Sequence, residues 1–130
     1  MNKFEIHTFL KSKGLEMIDS DKSDYFNDYY EVFSEGILAI RFSGSKSNES
    51  IDFNNVRESG KWYDLGIEKD YLKNTQNLVK VISIEESCIF LKNEFDHIKV
   101  VFGKDYLKNK NNLDILERKR AELMFPGRLS

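Results

Sequence analysis

The chain is poor in the residues that staple small domains or hold metal ions. Cysteine occurs once, at Cys88, which excludes an intrachain disulfide and any cysteine-rich zinc site. Histidine occurs only at His7 and His97, and no motif pairs the two. Long apolar runs are missing as well: no stretch approaches the length that spans a bilayer, and Met1–Ile6 lacks the hydrophobic region of a signal peptide. The expected location is therefore the cytoplasm, with no membrane partner.

What is present suits a single domain over residues 1–130. A chain of that length buries roughly two-thirds of the surface its unfolded form exposes, and ten Phe, six Tyr and one Trp can fill the interior. The organising stretch is Tyr29 to Phe53. Tyr29–Ser34 is aromatic and β-branched, Glu35-Gly36 supplies a turn, and Ile37–Phe42 makes the second strand of a hairpin. After a polar loop, Ser43–Glu49, the segment Ser50–Phe53 alternates with period two. Leu38, Ile40 and Phe42 share one face and are assigned to the core with Ile51 and Phe53. Leu15–Ile18 reads as a short edge strand, Asp19–Asp24 as an acidic loop, Asn54–Lys61 as a turn region broken at Ser59-Gly60, and Trp62–Leu65 as a closing strand before a short helix over Ile67–Leu72. Trp62 is read as a core anchor.

Helices are expected on either side of this block. Lys3–Lys13 forms the first, with Phe4, Phe9 and Leu10 inward, Ile6 off the stripe, and Gly14 as its stop. Ser83-x-x-Glu86 is a capping box, and Cys88, Leu91, Phe95, Ile98 and Phe102 follow at spacings of three and four, which predicts one helix over 84–102. A last helix is expected over 112–124, with Leu113, Leu116, Leu123 and Met124 inward and Pro126-Gly127 as the stop. The expected class is thus α+β: an antiparallel sheet of three to five strands (hairpin 29–34/37–42 plus 50–53), with these three helices packed against it. Lys69–Leu78 matches Lys104–Leu113 at eight of ten positions. Two copies are too few for a solenoid, so they are read as similar helix-end and loop segments.

Catalytic signatures are scarce. Glu94-x-x-His97 is half of a di-iron motif without its second copy. Ser43-x-x-Lys46 lacks its companion motifs, and Gly44–Ser47 lacks the spacing of a phosphate loop. Cys88 lies on an apolar stripe, as a buried thiol does. No enzyme activity, catalytic residue, metal or cofactor is expected.

Charge is the more informative signal. Glu16, Asp19, Asp21, Asp24, Asp28, Glu31 and Glu35 face Lys22 alone within twenty residues, whereas seven bases outnumber four acids from Lys104 onward. Such patches steer a charged partner over about a Debye length. Arg118-Lys119-Arg120 could contact phosphates, which would make a nucleic-acid-binding regulator using the basic C-terminal helix. The overall acidity and the lack of a nucleic-acid-binding motif weigh against that reading. If Leu38, Ile40 and Phe42 point inward, Tyr29, Glu31 and Phe33 are left on the other face, where aromatics among carboxylates suit a protein-binding surface. The competing reading is that a helix covers that face.

The runs Asp28–Phe33, Gly36-Ile37, Ile40–Phe42, Ser50–Phe53 and Trp62–Leu65 resemble the small immunity proteins encoded beside bacterial polymorphic toxins, over residues 28–102. That resemblance implies a cytoplasmic inhibitor that binds one toxin domain and blocks its active site. Many such toxins are nucleases whose substrate-binding surfaces are basic, and an acidic inhibitor can mimic the phosphates they bind. The expected contact patch is Asp24, Asp28, Tyr29, Glu31, Phe33 and Glu35, extended by Tyr63 and Asp64.

Overall fold

A computed structural model describes residues 3–23, 28–45, 48–58, 61–73 and 82–125. Helix α1 (Lys3–Ser12) ends at Gly14, whose φ of 86° only glycine adopts freely. The Gly14 amide donates to the Lys11 carbonyl and the Leu15 amide to the Leu10 carbonyl, the paired bonds of a Schellman stop. Leu15 is buried as the chain turns into the sheet.

The sheet is a five-stranded antiparallel meander: β1 (Glu16–Lys22), β2 (Tyr29–Ser34), β3 (Leu38–Ser45), β4 (Asn48–Asn55) and β5 (Tyr63–Asp64), in that spatial order. At the β2–β3 turn Gly36 has a φ of 111°; the Glu35 carboxylate accepts from the Ile37 and Leu38 amides at 2.9 and 2.5 Å, and the Ser34 hydroxyl accepts from the Gly36 amide. The register sets Phe33 opposite Ile40, Ile40 opposite Phe53, Phe42 opposite Ile51 and Phe53 opposite Tyr63. Cross-strand partners share a face, so these side chains form one apolar surface.

Five helices build the core against that surface. After α1 come α2 (Leu65–Lys73), α3 (Ile84–Asn93), α4 (Phe95–Phe102) and α5 (Tyr106–Met124). Ile6, Leu10, Ile67, Cys88, Leu91, Phe95, Ile98, Phe102, Tyr106 and Leu113 join the sheet's apolar face in one buried cluster. The Ser83 hydroxyl caps α3 by accepting from the Glu86 amide at 3.1 Å. Asn55, itself buried, ties the end of β4 to α4: its amide donates to the Phe102 carbonyl at 2.7 Å, and its oxygen accepts from the Arg57 and Glu58 amides. The fold is α+β, as expected.

Several boundaries differ from the sequence expectation. The apolar stripe over 84–102 is fully buried as predicted, but the helix breaks at Glu94, whose φ and ψ of −111° and 19° leave the helical region. A bend there lets Phe90 and Phe95 both follow a twisted sheet, which a straight rod tracks only part-way. The last helix begins at Tyr106, not 112. Its Asn-rich opening is held by a buried Tyr106 and by Asn109, which accepts from the Tyr71 hydroxyl and donates to the Asp105 carbonyl. Leu123 and Met124, expected inward, are 59% and 53% exposed, and Ile6, expected off the stripe, is buried.

The strands are also longer than expected. Asp19–Lys22 is strand where an acidic loop was expected, and β3 and β4 run through most of the anticipated Ser43–Glu49 loop. Of the internal echo, Lys69–Lys73 belongs to α2 and 106–113 to α5, and Tyr71 of the first donates to Asn109 of the second. The Phe4 side chain, Asp24, Lys46, Ser59-Gly60, 74–78 of the echo and Pro126-Gly127 lie outside the described residues.

Candidate functional site

The β2–β3 register decides which side chains are available. Glu31 lies opposite Phe42 and Tyr29 opposite Gly44, so Tyr29, Glu31 and Phe33 take the helix-covered face, not the open one. Phe33 is 0% exposed, with its ring 5.8 Å from Phe42 and 4.8 Å from His7. Glu31 sits 3.3 Å from the His7 imidazole of α1. Tyr29 is half-buried over Gly44, where an added Cβ would meet the tyrosine ring at 2.5 Å. Burial, followed by the Glu49 carboxylate, raises the Tyr29 phenol above its ordinary value.

The other anticipated contact residues are held in internal roles. Glu35 is the acceptor of the β2–β3 turn. Tyr63 is fully buried and donates to Asp114 at 2.5 Å; burial and that carboxylate raise its pKa. Asp64 accepts from the Ile67 amide, which caps α2, and forms an ion pair with Arg120 of α5. Asp28 alone of the described set is exposed, with its carbonyl accepting from the Ser23 amide. The expected patch is therefore not a common surface.

The same register builds a different one. Opposite the helices lie Tyr30, Val32, Arg41, Ser43, Ser50 and Asp52, with Val32 facing Arg41 and Arg41 facing Asp52. None of these belongs to the core cluster. Val32 is nevertheless buried, as are Ser34, Ala39 and Asn54 beside it on this face, so the open part is the end bearing Tyr30, Ser43 and Ser50. The Arg41 guanidinium bonds Asp52 at 3.1 Å and lies 4.4 Å from the centre of the Trp62 ring, a desolvated cation–π stack. Trp62 is thus half-buried on the outer face and is not a core anchor. Burial pushes the Asp52 carboxyl up, against the opposing pull of Arg41. Ser43 and Ser50 share a hydroxyl hydrogen bond of 2.9 Å. Tyr30 donates to Asp19 of β1 at 3.3 Å, and that carboxylate raises the phenol's pKa. Asp19, Tyr30, Val32, Arg41, Ser43 and Trp62, together with Tyr29 of the neighbouring position, line a cavity of about 390 Å³.

A signal for this surface was present in the sequence. Side-chain period in a strand is two, and a one-residue slip exchanges the faces. Pairing Phe33 with Ile40 across the Glu35-Gly36 turn places Tyr30, Val32 and Arg41 together; reading the two strands separately does not.

Elsewhere, charged groups are tied into the scaffold. Asp114 accepts from Lys61 at 2.7 Å, from Tyr63 and from Lys110 at 3.1 Å. Burial works to raise its pKa, but these bonds outweigh it and pull the carboxyl down to about 2. On α2, Glu68 is fully buried 3.1 Å from His97 of α4, without hydrogen-bond geometry to it, and burial pushes its carboxyl up to about 8. Burial also lowers His97, against the opposing effect of Glu94. Among the described residues, no group of three or more His, Cys, Asp or Glu is arranged to hold a metal ion. Of the basic triplet on α5, Arg120 is committed to Asp64, while Arg118 and Lys119 are exposed.

No protein-family model, no curated protein and no solved structure matches this chain. The described helices include none long and apolar enough to cross a membrane.

Proposed function

We propose that this domain is a non-enzymatic inhibitor that binds a cationic bacterial toxin domain, in the manner of the immunity proteins its strands resemble. It docks through the open end of the outer sheet face, around Tyr30, Ser43 and Trp62, and the acidic strand β1 beside it. The carrying observation is the Trp62–Arg41–Asp52 stack next to Tyr30 on the sheet face opposite the core cluster, where Tyr30, Ser43 and Ser50 stay partly or fully exposed. Trp, Tyr and Arg are the side chains that dominate interface energetics, because each offers a large desolvated contact with a polar handle. The carboxylates of Asp19, Asp21 and Asp28 along one margin supply the field that draws in a basic surface.

The test is a titration against the toxin domain encoded by the neighbouring gene, made catalytically inactive by mutation. The expected result is a tight complex whose affinity falls by about tenfold or more in Trp62→Ala and in Arg41→Ala, with an association rate that drops as salt rises. Unchanged toxin activity at saturating protein, or affinity indifferent to both substitutions, overturns the reading. Retention of mixed DNA and RNA in a low-salt gel shift would instead favour the basic C-terminal helix.

A further inference from the structure

The two edges of the sheet are not alike. At one edge, β5 is two residues long, and its Asp64 is occupied by the α2 cap and Arg120. At the other, β1 is seven residues long, every one of them exposed, and among the described residues no strand pairs with its outer side. The Ser23 amide donates to the Asp28 carbonyl at 2.7 Å, which makes 23/28 a hydrogen-bonded pair. Alternation in an antiparallel ladder then makes 21/30 and 19/32 hydrogen-bonded too, so Ser20 and Lys22 point their amides and carbonyls away from β2, the Lys22 amide donating to the Asp21 carboxylate at 2.8 Å. The register shift lies between Met17 and Asp19, and Asp19–Lys22 pairs regularly beyond it.

We propose that this outer edge of β1 takes an extended, lysine- or arginine-bearing segment of the protein partner as a sixth strand. The proposal rests on the reading of that partner as cationic. The Ser20 amide and the Ser20 and Lys22 carbonyls supply the ladder, and Glu16, Asp19 and Asp21 outnumber Lys22 along the strand. The same carboxylates argue against a second copy as the occupant. Two such strands side by side would set like charges against each other, which guards a long edge from self-association while favouring a basic strand. Met17 and Ile18, 43% and 59% exposed, add apolar contact at one end.

The experiment uses three labelled peptides of about seven residues, a length matching β1: one alternating Lys and Val, the same peptide methylated at alternate backbone amides, and one alternating Glu and Val. Anisotropy at low salt should show the Lys peptide binding, with at least about tenfold loss on amide methylation and no binding of the Glu peptide. Exchange of the Ser20 amide should slow when the Lys peptide is added. Ser20→Pro removes an outward donor at an edge position that tolerates proline, and should abolish binding with an unchanged circular-dichroism spectrum. If that variant does not fold, the methylated peptide decides. Equal binding of the methylated peptide overturns strand addition while leaving the cationic-partner reading intact. A free chain that sediments as a β1-paired dimer, or a failure of the Lys peptide to bind, also overturns it.

Discussion

The two faces of the sheet differ in the side chains they carry and in what becomes of them. On one, Phe33, Ile40, Phe42, Ile51, Phe53 and Tyr63 are buried under helices. On the other, Tyr30, Arg41, Asp52 and Trp62 lie half-covered and satisfy one another. The covered face gains its stability from removing apolar area from water and from close packing. The bare face holds polar groups whose mutual contacts keep them soluble yet leave aromatic surface for a partner. An aromatic residue therefore says little about function until its face is known.

The sharpest way to break this comparison is to truncate one residue from each face. Phe33→Ala should lower unfolding free energy by about 3–5 kcal/mol in urea denaturation, whereas Ser50→Ala, exposed on the outer face, should change it by about 0.5 kcal/mol or less. Equal costs would mean the faces are assigned wrongly.

The next effect concerns charge on the covered side. Glu68 has a folded pKa of about 8, above its unfolded value, so the native state holds the proton longer and stability falls as pH rises from the ordinary carboxylate range toward 8. His97 is lowered, so its contribution rises with pH up to its ordinary value and opposes Glu68 only below that point. Glu68→Gln should abolish the loss between about pH 6.5 and 8 and stabilise the protein there, by on the order of 1–3 kcal/mol. Melting temperatures of both proteins across that range check it.

At the margin between the faces, Asp114 joins β5 and the preceding Lys61 to α5. Its carboxyl is depressed to about 2, so its stabilisation is complete above the ordinary carboxylate pKa and disappears as pH falls toward 2. Asp114→Asn should cost about 1–2 kcal/mol at neutral pH, discounted for its partial exposure, and should flatten the acid limb of the stability profile. The smallest effect on folding belongs to the proposed docking face. Trp62→Ala should change stability by no more than about 1 kcal/mol while weakening partner binding. A much larger stability loss would make Trp62 part of the core after all.

Much of the scaffold was legible from local patterns. Gly14 ends α1 with the expected left-handed stop, Ser83 caps α3, and Cys88, Leu91, Phe95, Ile98 and Phe102 are buried along one stripe. These features depend on residues within a turn or two of each other. The bend at Glu94, the early start of α5 and the exposure of Leu123 and Met124 were not legible, because each depends on what packs alongside. Trp62 shows the same limit: its size suggested the interior, but Arg41, distant in sequence, offered a place for its ring on the surface.

The amino-acid sequence alone determined the α+β class, where most elements lie, and that acid is concentrated before the first long hairpin. Only the tertiary structure decided which side of each strand meets helices, because facing depends on register, and register is a relation between strands that no single strand encodes. That decision moved Tyr29, Glu31 and Phe33 to the covered side and brought Tyr30, Arg41, Asp52 and Trp62 together on the open one.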